Sequence, residues 1–159
     1  MKPFGSKSKN RQNPYFHLPM HQWQLTILVL ASLTGGVLFA WKEAALIVAD
    51  KDLNKVLLTV FRVMLATLVL TPFLPRPVEI PTLVMSLVMM AGFWAPTHRL
   101  VLNARRIALG HRIEVTHLGT GFYDNLLTPM IRETSSRFVA MCLLELLVAC
   151  AMFHQLQNQ

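Results

Sequence analysis

Few residues of this chain could do chemistry, and the two most conspicuous stand in apolar surroundings. Arg62 lies in the middle of LNKVLLTVFRVMLATLVLT, and Glu145 lies near the centre of RFVAMCLLELLVACAMFH. An ionised side chain in hydrocarbon is expensive unless it is paired or snorkels to the surface. Two uses follow: a step in a proton or ion path, or an intramembrane ion pair between Arg62 and Glu145 that fixes helix register. One pair does not make a conduction route, so the register-fixing pair is the expectation. His98, His111 and His117 lack the close spacing of zinc motifs and have no accompanying cysteine, so no metal is assigned. GTGF at 119–122 has no following GK[ST], and Ser32, Ser86, Ser135 and Ser136 lie in no nucleophile motif. No catalytic residue and no cofactor is assigned, and enzyme activity is not expected.

The elements that would carry these residues are apolar blocks. Hydrophobic residues make up 53% of the 159 residues and charged residues 14%, where soluble domains carry roughly 25% charged. The chain reads as an all-α polytopic membrane protein with three to four apolar helical segments. Residues 1–22 form a basic arm with Lys2, Lys7, Lys9 and Arg11. The following block is too long for a signal-peptide core and lacks a small-x-small cleavage site, so a retained anchor is expected. Residues 23–74 hold two membrane helices. The first runs from Trp23 to Trp41, about 27 Å of helix with a tryptophan at each headgroup level, and AALIVA can prolong it. Gly35 and Gly36 offer a close helix approach. The loop ADKDLNK follows, where Lys42, Lys51 and Lys55 are balanced by Glu43, Asp50 and Asp52, with Asp52 as N-cap of a helix over 53–71 that Pro72 ends.

Residues 75–97 form a proline-bracketed block, either a third span or a re-entrant segment, with Pro81 suited to a first helical turn and methionines suited to adaptable packing. Residues 98–136 are polar and basic, and 137–159 carry the last span, whose helix can start early at Thr128-Pro129. Cys142 and Cys150 share that span about 12 Å apart, too far for a disulfide, and read as small core residues.

Charge decides the expected sidedness. The net charge is +7, which in a membrane protein reflects Lys and Arg held on the cytoplasmic side by anionic headgroups rather than nucleic-acid binding. Four full spans with the arm inside would export the six arginines between His98 and Arg137. A block over 81–96 that enters the membrane and returns, or lies along the interface, keeps both the arm and 98–136 in the cytoplasm, and is the favoured arrangement; ordinary four-span topology is its competitor. The segment 98–136 is long for a connector. Its ARRIALGHR stretch can lie at the bilayer surface against anionic lipid, IEVTHL can extend, and GTG can turn. The partner-binding candidates there are Arg105, Arg106, His111, Arg112, Glu114, His117, Phe122, Tyr123, Asp124 and Asn125, since Tyr and Arg give large contacts at modest entropic cost.

The basic arm leading through HLPMHQW into the first span, with a polar region between later spans, resembles small inner-membrane entry-exclusion proteins of conjugative plasmids. The resemblance covers the layout of the whole chain and contains no diagnostic motif. It implies a bacterial inner-membrane protein that blocks redundant conjugative transfer by recognising a membrane component of the donor's type IV secretion (conjugation) machine, through protein–protein interaction. The alternative is a small pore-forming or transport/secretion-complex membrane subunit, acting through Arg62 and Glu145. Homo-oligomerisation is compatible with either.

Overall fold

A computed structural model describes residues 20–49, 55–74, 78–118 and 129–158. The fold is all-helical: α1 (Gln22–Val48), α2 (Lys55–Leu70) running into a 3-10 turn (Thr71–Phe73), α3 (Ile80–Ala108) and α4 (Thr134–Gln157), with no strand among the described residues. Three of these, α1, α3 and α4, are long and apolar enough to cross a membrane; α2 is shorter. Outward-facing leucines, valines and phenylalanines, such as Leu38, Phe61, Leu68 and Leu147, cover the bundle, which marks the chain as a membrane protein rather than a soluble globule.

Four contacts fix the helix directions. The Met20 Sδ lies 3.8 Å from the Ser86 hydroxyl, near the start of α3, and Arg105 near its end sits over the Trp41 ring. α1 and α3 therefore run parallel. Trp23 meets Phe73 edge-on and Phe39 meets Phe61, so α2 runs antiparallel to α1. α4 is antiparallel to α3 and ends with Leu156 in the same cluster as Met20, Leu25 and Leu74. The bundle thus has a Met20 end and an arginine-rich end, and the latter holds the close of α3 and the start of α4.

Helices in lipid gain little hydrophobic energy by associating, so close packing at small residues must do the holding. The buried stripe of α1 is Leu25, Leu28, Ser32, Gly36, Ala40 and Ala44, a run of small residues at helical spacing facing α3. A Cβ on Gly36 would stand 3.1 Å from the Trp94 carbonyl oxygen. Gly35 only borders the Trp94 ring at 3.8 Å, so of the adjacent glycines the second makes the close approach. Gly92 does the same against α4, where a Cβ would fall 2.6 Å from the Glu145 carbonyl oxygen and 2.8 Å from the Ala149 Cβ. Met89 and Met90 fill the core between these seams, as adaptable packing predicts. Buried and half-buried hydroxyls are internally satisfied: those of Ser32, Ser86 and Thr97 donate to the carbonyls of Leu28, Thr82 and Phe93.

Several expectations need correction. The block from Pro81 to Pro96 does not enter and return; it is the first part of a single 29-residue helix that passes the expected boundary at 97 and ends at Ala108. Pro81 sits in the first turn, where its missing N–H matters least, and Pro96 is accommodated inside the helix. ARRIALGHR is consequently split: its first five residues finish α3, and the rest follow it. IEVTHL does not stay extended: it turns at Val115 and Thr116, where the His117 N–H donates to the Glu114 carbonyl. Pro129 lies in a turn, and α4 begins only at Thr134 with Glu133 as N-cap; Thr128 is outside the described residues, as is Asp52. The cysteines are not core residues: Cys150 is exposed and Cys142 half-buried, because the inward stripe of α4 is Phe138, Met141, Glu145, Ala149 and Leu156. AALIVA does prolong α1, to Val48. Trp23 and Trp41 are on the outside of the bundle, 57% and 53% exposed.

Gly92→Ala forces α3 and α4 apart, and the expected loss is about 1–3 kcal/mol of overpacking strain. Thermal unfolding of the purified protein should show a lowered midpoint for Gly92→Ala and an unchanged one for Gly35→Ala; equal midpoints would remove the packing seam from the account.

Candidate functional site: two charge contacts and a pinned basic segment

His98 and Arg99 are consecutive on α3, so their side chains leave the helix about 100° apart. Each meets a different neighbour. His98 is buried, with its ring stacked on Trp94 at 4.4 Å, and its Nε2 lies 3.0 Å from the Glu43 carboxylate on α1. The same carboxylate oxygen accepts from Arg62 of α2. The Arg62 guanidinium also covers the Trp94 ring at 4.8 Å and the Phe39 ring at 5.7 Å, a cation–π cradle. On the other side, Arg99 Nη1 donates to Glu145 Oε2 at 2.6 Å, with Glu145 only 6% exposed.

Arg62 and Glu145 are therefore both paired, but not with each other. The expected Arg62–Glu145 pair is replaced by Arg62–Glu43 and Arg99–Glu145. The reason is topological. α3 stands between α2 and α4, touching α1 and α4 along long seams, so a carboxylate on α4 reaches α3 rather than α2. Glu43 was legible only as part of a charge-balanced loop; its place inside α1 follows from the helix running on to Val48. Pro96 reads locally as a helix end, which places His98 and Arg99 in the polar segment; the helix instead runs through it to Ala108.

The polar segment starts from a glycine stop. Gly110 adopts φ +94°, its N–H donates to the Ile107 carbonyl, and the His111 N–H reaches back to the Arg106 carbonyl at 3.0 Å. This pairing closes a helix end and requires the left-handed conformation that glycine tolerates. The chain then folds back along α3. Asn103, 3% exposed, donates from one amide nitrogen to the carbonyls of Val115 and His117, both at 2.8 Å. The Thr116 and Ser135 hydroxyls lie 3.2 Å apart, joining the segment to α4, and Leu118 is buried beneath it. No local feature of the sequence marks Asn103 as this pin.

Of the partner-binding candidates, Arg105 and Arg106 belong to the last turn of α3 and are half-buried, as are His111 and His117, while Arg112 and Glu114 are exposed. Phe122, Tyr123, Asp124 and Asn125 lie outside the described residues. Arg105 sits 4.0 Å over the Trp41 ring. Among the described residues Arg105, Arg106, Arg112 and Arg132 form no ion pair, unlike Arg62 and Arg99 deeper in the bundle. No group of three or more His, Cys, Asp or Glu among the described residues is arranged to hold a metal ion. The arrangement can fix helices and present guanidinium groups. No known protein family, characterised protein or solved structure matches the chain, so the class that the fold defines, an all-helical membrane protein, stands on its own geometry.

Two predictions follow from these contacts. Reversing Arg99→Glu or Glu145→Arg alone strands a buried charge at a cost of about 3–5 kcal/mol and should deplete the protein from membranes on quantitative immunoblots. The double reversal should recover most of the lost level, and combining Arg62→Glu with Glu145→Arg should not. Separately, Asn103→Leu should free the segment after Gly110, so that trypsin cleaves at Arg112 several-fold faster while α3 remains helical; an unchanged cleavage rate would show that the pin is not what holds it.

Proposed function

We propose that the chain is a non-catalytic, four-pass protein of a bacterial inner membrane that recognises a membrane-protein partner through its arginine-rich end. Parallel α1 and α3 support the four crossings: if both traverse, α2 must traverse in the return direction. Its 16 residues and the 3-10 turn give about 30 Å, the thickness of a hydrocarbon core. Eight Lys and Arg belong to the connections and helix ends at the arginine-rich end, and five to the arm and the 71–79 connection at the other. The positive-inside bias then favours the arginine-rich end as cytoplasmic. This reading departs from the expectation that the arm shares that side, since the residues preceding Met20 join the bundle at its opposite end.

The observation that carries recognition is the division among the arginines. Those inside the bundle are paired, whereas the exposed Arg112 and Arg132 form no ion pair among the described residues, Arg112 on the stretch that Asn103 pins and Arg132 just before α4. A fixed basic surface suits a partner with acidic groups. Core positions are filled by Leu25, Leu28, Met89 and Met141, which weighs against a conduit through one copy. The resemblance in layout to entry-exclusion proteins makes a conjugation component the proposed partner and the blocking of redundant transfer the proposed role.

Expression in recipient cells should lower uptake of the chain's own plasmid type, and Arg112→Ser with Arg132→Ser should restore uptake at unchanged membrane level. Unimpaired uptake with the unaltered protein present at full level would eliminate the exclusion role. Sidedness is read independently by labelling single cysteines introduced at His21 and Arg112 in a Cys142→Ala, Cys150→Ala background. In intact cells only the His21 position should react with a membrane-impermeant maleimide.

A further inference from the structure

We infer that α2 is a proton-released helix: uptake of a proton at His98 frees its Lys55 end from the bundle. One carboxylate oxygen carries the contacts concerned. Glu43 Oε2 accepts from Arg62 Nη2 and also lies 3.0 Å from His98 Nε2. An ionised carboxylate only accepts, so the hydrogen on this side of the ring is on Nε2, and a further proton goes to Nδ1. Arg62 Nη2 stands 3.5 Å from the same Nε2, donor against donor. The two groups therefore compete for one acceptor rather than bond to each other.

Charge counting gives two neutral arrangements. With α2 docked, Glu43 is balanced by Arg62, and a neutral His98 completes the site. With the Lys55 end of α2 away, Glu43 is balanced by a protonated His98, which already touches it. The mixed state, Arg62 and a protonated His98 on one carboxylate, leaves a net positive charge among packed helices and is unfavourable. Proton and docked helix each weaken the other's hold by the same factor. The remaining charges nearby are committed elsewhere or turned away: Arg99, next on α3, meets Glu145 of α4 at 2.6 Å, and Lys42 beside Glu43 is exposed. α2 is otherwise loosely held. The close seams at Gly36 and Gly92 join α1 to α3 and α3 to α4, and α2 meets the core cluster only toward its far end, at Ala66, Leu70 and the adjoining Phe73. That end is the hinge. Arg62 without a carboxylate is costly in hydrocarbon, which keeps the helix docked while His98 is neutral. The device is independent of the recognition reading, which rests on Arg112 and Arg132.

The test uses the full chain with Cys142→Ala and Cys150→Ala, reconstituted in lipid nanodiscs and spin-labelled at Val60→Cys of α2 and Leu147→Cys of α4. Interspin distances are read by pulsed electron paramagnetic resonance at about pH 8 and about pH 5, on either side of ordinary imidazole titration. A second, longer distance should grow roughly ten-fold in population on acidification. A Leu38→Cys, Leu147→Cys pair, reporting α1 against α4, should keep one distance. His98→Gln retains a donor for Glu43 but takes no proton, and should abolish the acid response; every other histidine remains in that variant, so a response arising at one of them would persist. Arg62→Gln should show the longer distance at both pH values, and decides the matter if His98→Gln fails to accumulate. A single unchanged distance in the labelled parent, an acid response that survives His98→Gln, an Arg62→Gln chain that stays docked, or movement of the α1–α4 pair along with α2 would overturn the device.

Discussion

A charge inside a lipid-facing bundle must find its counter-charge within the bundle, because neither hydrocarbon nor packed methyl groups can solvate it. In this chain that requirement converges on α3. His98 and Arg99, adjacent in sequence, point to different neighbours, so one helix sets the register of both of its interfaces. Sliding α4 by a turn would separate Glu145 from Arg99; sliding α1 would separate Glu43 from His98 and, through the shared carboxylate, from Arg62. Packing alone would not fix these positions so firmly, since apolar ridges against apolar ridges in lipid offer several near-equivalent registers.

Helix direction explains why these partners, and not others, come together. Side chains lean toward the start of their own helix. On antiparallel neighbours the two leans oppose, so side chains separated along the axis are drawn together. Gly92 packs against the backbone of Glu145, and Arg99 lies two turns further along α3, about 10 Å away. The long Arg99 and Glu145 side chains close that gap because each leans toward the other. The same geometry brings Arg62 of α2 to Glu43 of α1. The small residues and the charges are thus one device: Gly92 and Gly36 let backbones approach, and the approach brings carboxylates within reach of guanidinium groups.

Much of this was legible in the sequence. The apolar blocks, Pro81 in a first turn, the methionines as filler and Gly36 of the glycine pair as an approach point all follow from local chemistry, and the structure carries them. Local chemistry failed where a residue's meaning depends on a neighbour distant in sequence. Pro96 reads as a terminator, but a long helix packed on both sides retains it, so α3 absorbed residues assigned to a polar segment. The two most central charges invited pairing, yet which helix lies between them is a fact of topology. The cysteines lay in a core-like composition, and only the stripe of α4 shows that Cys150 faces outward. Nothing local distinguishes Asn103 from a solvated amide; its role appears once the chain after Gly110 folds back over it.

α2 exposes a last consequence of the same constraint. It is apolar on nearly every face, it is the shortest of the four helices, and most of its large side chains, from Leu57 and Phe61 to Leu68, look outward. Its packing on the bundle is concentrated at the Phe73 and Leu70 end and around Phe61. Lipid solvates such a helix as well as protein does, so burial gives it little reason to stay. What distinguishes the docked position is Arg62, which loses a carboxylate and two aromatic faces if α2 departs. The arginine that looks least suited to a membrane helix is therefore the group that ties the helix to its place, and its cost in hydrocarbon is the source of the specificity.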